Sequence, residues 1–113
     1  MIKLKIYDLG LKLVKDIYKL IKNNKIVSKD YSLSDQLKRA AVSVPCNISE
    51  GAYTTKKQFV NYLRIAAGSS NEVVALLKIV ELVYSIKTDV LQSKYTALGK
   101  QINSLIKRIK THS

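Results

Sequence analysis

Apolar residues return at every third or fourth position along nearly the whole chain, and one proline and four glycines are all that interrupt them. That recurrence matches the 3.6-residue turn of an α-helix and places the apolar side chains of each segment on one face. The reading is all-α. In the last segment Leu91, Tyr95, Leu98, Ile102, Leu105 and Ile109 form a single seam, while Lys94, Lys100, Lys107, Arg108 and Lys110 fall on other faces. In the first segment Leu9, Leu13, Ile17 and Leu20 make a stripe that Val14 and Ile21 widen, with Lys12, Lys15, Lys19 and Lys22 mostly off it. Asn23 and Asn24 mark where that segment frays.

Two helix starts are written between these ends. Ser32 with Asp35, and Thr55 with Gln58, have the three-residue spacing at which paired side chains satisfy amides of a first turn. Gly51 is suited to close the second helix in the left-handed conformation after its cap. The third helix runs from Thr55 to about Tyr84 and carries two seams. Phe59, Leu63, Ala66, Val73, Leu77, Val80 and Tyr84 lie on one side, and Ile65, Ser69, Glu72, Leu76, Ile79 and Val83 on another. A helix apolar over so much of its circumference needs partners on more than one side, so the second seam suggests self-association. The expected architecture is an antiparallel up-down-up-down four-helix bundle, with the second helix short and kinked near Pro45. A break and restart there is the alternative. With 113 residues there is room for one core, and residues 1–113 read as one domain.

The second helix also carries a polar stripe, Gln36, Arg39, Ser43, Asn47 and Glu50, at helical spacing. On the third, Arg64, Gly68 and Glu72 share a face at i, i+4 and i+8 with Ser69 beside them, so opposed helices could pair Arg39 with Glu72 or Glu50 with Arg64. A partly buried network fixing helix register is the favoured reading, because buried charges persist when paired. The competing one is a ligand or catalytic site built on Arg39, Asn47, Glu50 and Glu72, which lacks a nucleophile or metal set. Cys46 stands alone and reads as a small buried residue, which fits a reducing cytoplasm. His112 reads as tail. Tyr62, Tyr84 and Tyr95 fall on seams, and Tyr7, Tyr18 and Tyr53 remain for the surface. No cofactor or metal site is expected.

Charge narrows the partners. The chain carries a formal +12, with eight Lys against two Asp over residues 1–29 and six Lys or Arg against Asp89 over residues 86–113. Such an excess attracts polyanions through phosphate neutralisation and counterion release. Seventeen Lys against three Arg, and no base-reading module, equally fit lysines that merely solvate helix faces. No apolar run is long enough for a bilayer and no export signal opens the chain.

The motifs Gln36-Leu37-Lys38-Arg39-Ala40-Ala41, Ser43-Val44-Pro45, Asn47-Ile48-Ser49-Glu50-Gly51, and Phe59, Leu63, Ile65-Ala66 with Gly68-Ser69-Ser70-Asn71-Glu72 resemble one family in order and spacing. It comprises the four-helix bundle proteins named after the intervening sequences of bacterial 23S ribosomal RNA. Ser49 departs from the usual Ala, and the first and last helices match in pattern only. The resemblance implies a ring of five identical subunits and no enzymatic activity. A similar branch supplies the accessory protein of diversity-generating retroelements, which implies nucleic acid and a reverse transcriptase as partners.

Two functions therefore stand after the sequence. One is a non-enzymatic, homo-oligomeric accessory protein binding RNA or DNA backbone through Lys12, Lys15, Lys19, Lys22, Lys94, Lys100, Lys107, Arg108 and Lys110. The alternative is an adaptor whose basic surface meets an acidic protein partner.

Overall fold

The computed structural model describes the backbone of residues 2–112 and the side chains of residues 5–112. Five helices follow one another: α1 (Ile2–Asn23), α2 (Lys25–Lys29), α3 (Tyr31–Ala52), α4 (Lys56–Tyr84) and α5 (Asp89–Thr111). No strand occurs among the described residues. The four long helices close a ring in which α1 packs on α3, α3 on α4, α4 on α5 and α5 on α1. The backbones of the diagonal helices α1 and α4 do not approach closely. Together they enclose an elongated core, 47 × 20 × 19 Å in extent.

Leu13 and Ile17 of α1, Leu37, Val44 and Ile48 of α3, Leu63 and Leu77 of α4, and Tyr95, Leu98 and Ile102 of α5 are all buried in one cluster. These are the seam positions that helical spacing picks out. Burial of a large apolar side chain contributes about 1.5–3 kcal/mol, so this cluster is the main source of cohesion.

Three expectations about the second helix, and the alternative offered at Pro45, need correction. It is not short: α3 has 22 residues, as α1 does. Its cap is not Ser32 but Asp30, whose Oδ1 accepts the Leu33 amide at 3.1 Å. Ser32 and Asp35 instead receive the side chains of Gln36 and Arg39 one turn on. Gly51 does not adopt the left-handed conformation; it is the last buried residue of the helix. Finally, the helix does not break and restart at Pro45 but runs unbroken through it. The proline is buried against α1 opposite Gly10, where a Cβ would stand 3.4 Å from the ring. A residue without a side chain on α1 gives the ring its seat.

The short helix α2 was absent from the sequence reading. Asn24 separates it from α1 and donates its side-chain amide to Leu20 O at 2.8 Å, satisfying a carbonyl of the preceding last turn. Val27 then turns fully into the core. The start of α4 is as expected, with Thr55 Oγ1 accepting the Gln58 amide at 3.2 Å. Its end is held differently. Ser85 takes the left-handed conformation at φ 56°, and Glu81 folds forward to accept the Thr88 amide at 2.6 Å.

Candidate nucleic-acid interface

The two most basic segments are neighbours in space, because α1 and α5 pack side by side. Lys12, Lys15, Lys19 and Lys22 share the face of α1 opposite buried Leu13, Ile17 and Ile21, and all four are exposed. On α5, Lys94, Lys100, Lys107, Arg108 and Lys110 are exposed as well, spread over the rest of the circumference around the Tyr95, Leu98 and Ile102 seam. Among the described residues Lys12, Lys15, Lys19 and Lys22 form no ion pair. Asp16, which belongs to the same helix, is half-buried rather than lying in the lysine stripe. Its charge reaches Tyr95 of α5, whose buried hydroxyl has no hydrogen-bond partner. Burial first, and Asp16 second, push the Tyr95 phenol far above its ordinary value.

The polar stripe divides into two groups. Ser43, Asn47 and Ser69 come together, with the Ser43 and Ser69 hydroxyls 2.8 Å apart across the α3–α4 contact. Asn47 donates to Ser43 O at 2.8 Å and to Ser43 Oγ at 2.9 Å. The charged members stay outside this cluster. Arg39 is 80% exposed and pairs with Asp35 on its own helix at 2.9 Å, not with Glu72 on α4. Glu50, Arg64 and Glu72 are exposed, as is Gln36. Such exposed groups keep their hydration, so nothing compels them to pair across the helices. The register of α3 on α4 is held by neutral groups and by Asp30, which accepts the Tyr84 hydroxyl at 2.6 Å.

That bond, then the Leu33 amide, holds the Asp30 carboxyl below its usual range, and the same bond raises the Tyr84 phenol. Glu81 is likewise lowered, chiefly by the Thr88 amide. Cys46 is exposed rather than buried, Tyr7 is half-buried against the core rather than free at the surface, and Tyr18 lies under the Lys38 ammonium at 5.2 Å.

A group of cations escaped the reading of the ends alone. Lys56, Lys57, Asn61 and Arg64 of α4 line a cleft with Lys110 of α5. The signal was present as Lys56, Lys57 and Arg64 at the start of the third helix, but charge counted over the two ends passes them by. Among the described residues no helix is long and apolar enough to cross a membrane.

Comparison with known proteins agrees with the motifs. Residues 2–110 match the family described as 23S rRNA-intervening sequence protein. A similar solved structure, from Bacteroides thetaiotaomicron, is described as a protein of unknown function from the S23 ribosomal protein family. It superposes with a TM-score of 0.86 at 25% identity, over 95% of this chain and 99% of that one. No curated protein matches.

Proposed function

The chain belongs to the family of 23S rRNA-intervening sequence proteins, and from that premise we propose that it is a non-enzymatic, homo-oligomeric accessory protein holding nucleic acid by its phosphates. The observation that carries this reading is the side-by-side packing of α1 and α5, which merges two basic segments into one surface. Exposed Lys12, Lys15, Lys19 and Lys22, which form no ion pair among the described residues, would exchange condensed counterions for phosphates, with little preference for base sequence. The cell compartment proposed is the cytoplasm.

The oligomer we propose uses the outer face of α4. Ile65, Ile79, Leu82 and Val83 are 52%, 42%, 83% and 58% exposed there, whereas Leu76, also assigned to that seam, is buried. Gly68 lies among them with nothing within 4 Å of where its Cβ would be. An exposed glycine inside a helix costs about 1 kcal/mol against alanine. Close approach of a second chain would give that glycine a purpose. An up-down-up-down order of the long helices underlies this assembly, favoured by the pairing of Asp30 with Tyr84, Ser43 with Ser69 and Gly51 with Tyr62. Five subunits is the number that the family resemblance implies.

The deciding experiment is a salt titration of RNA and DNA binding. Affinity should fall steeply with salt, and replacing Lys12, Lys15, Lys19 and Lys22 by Gln should weaken all sequences alike. Absence of binding at low salt, together with recovery of an acidic protein from nuclease-treated lysate, would turn the reading toward an adaptor.

A further inference from the structure

A cleft of about 460 Å³ opens where the start of α4 meets the end of α5. Lys56, Lys57, Asn61 and Arg64 form its α4 wall, Lys110 stands on its α5 side, and Val60 and Ile109 also line it. Val60 is buried and Ile109 half-buried, so the cleft has an aliphatic floor beneath a cationic rim. Among the described residues no Asp or Glu lines it. Lys57, Asn61 and Arg64 follow one another at i, i+4 and i+7 and share one helix face. Like charges gathered over apolar surface are poorly screened, and an anion set among them relieves their repulsion.

The donor set suits one class of anion. Arg64 offers a planar fork that matches phosphate oxygens, Asn61 a neutral amide, and the lysines mobile point charges. The aliphatic floor accepts the carbon face of a sugar. No aromatic side chain lines the cleft, so bases have nothing to stack on there. We propose that this cleft seats a phosphate of a nucleic-acid strand. It is a second contact besides the lysines of α1, the helix diagonal to α4 in the bundle. The assignment rests on the nucleic-acid reading given above, and its test separates the two.

Full-length protein would be titrated with a fluorescein-labelled 20-nucleotide oligouridylate at several salt concentrations. Each phosphate neutralised on a single strand adds about 0.7 to the logarithmic salt slope. Lys57→Gln/Arg64→Gln should therefore lower that slope by about 0.7 and weaken binding on the order of tenfold at low salt. Lys56→Gln/Lys57→Gln, at the helix start and two turns before Ile65, should do the same if loss of Arg64 disturbs assembly. Wild-type slope and affinity in both variants, with loss only in the Lys12, Lys15, Lys19 and Lys22 variant, would overturn the cleft and leave the nucleic-acid reading standing. Inorganic tripolyphosphate probes the cleft by itself. Amide shifts at Lys57, Asn61 and Arg64 that vanish in the double variant support a phosphate seat, so failure of RNA to bind beside them would overturn the nucleic-acid reading, whereas no shift there overturns the cleft. Polyglutamate binding as tight as the oligouridylate, and equally sensitive to the double variant, would replace phosphate by carboxylate and overturn the assignment.

Discussion

Gly51 sets how near α3 and α4 approach at one end of the molecule. A Cβ at that position would stand 2.6 Å from Tyr62 Cβ and 2.9 Å from Phe59 Cδ1. The first of these is anchored next to the backbone and cannot swing aside, so Gly51→Ala must part the helices. We expect a loss of about 1–3 kcal/mol in urea unfolding, the usual cost of overpacking. Gly10 behaves differently, since its neighbour is the Pro45 ring at 3.4 Å. Gly10→Ala should be near neutral alone and stabilise by about 0.5–1 kcal/mol in a Pro45→Ala background, where the ring is gone. A double-mutant cycle reads that coupling. The bond between Asp30 and Tyr84 responds to pH at both extremes. Because Asp30 is lowered, its stabilisation is full above the ordinary carboxylate range and fades as pH falls through the depressed value. Because Tyr84 is raised, the same bond fades as pH rises through the elevated phenol value. Tyr84→Phe should flatten both limbs of a plot of melting temperature against pH.

Helix ends divide what could be read in the sequence from what could not. Thr55 and Gln58 announced α4 because the cap is local: one hydroxyl and one amide three residues apart. Asp30 was missed because its two oxygens serve different partners, Leu33 nearby and Tyr84 far along the chain. Likewise Ser32 and Asp35 had cap-like spacing, yet one turn later lay Gln36 and Arg39 to occupy them. The end of α4 offers a test. Ser85 is the only non-glycine residue described with a positive φ, a conformation that costs about 1–2 kcal/mol for an ordinary side chain. Ser85→Gly should raise stability by roughly 0.5–1 kcal/mol in chemical denaturation, the strain removed being partly offset by a freer unfolded chain. The seams themselves were legible because core-facing periodicity survives folding unchanged. The polar stripe was less so, since spacing places Arg39 and Glu72 on suitable faces without saying that exposed charges will prefer water.

At the scale of the molecule, the apolar outer face of α4 and the lysine face of α1 belong to diagonal helices whose backbones do not approach closely. Ile79→Glu/Leu82→Glu should therefore dissociate the proposed oligomer in sedimentation velocity while leaving the helical signal of the subunit intact, because both side chains are exposed in it. Gly68→Ala should stabilise the isolated subunit by about 0.5–1 kcal/mol and weaken its association. Opposed faces also mean that sealing one leaves the other free. If the proposed ring leaves the lysines of each copy exposed, a long strand would touch several subunits where a short one touches one. Each contact could then stay feeble while the whole grips firmly, and strand length would become the quantity the protein measures.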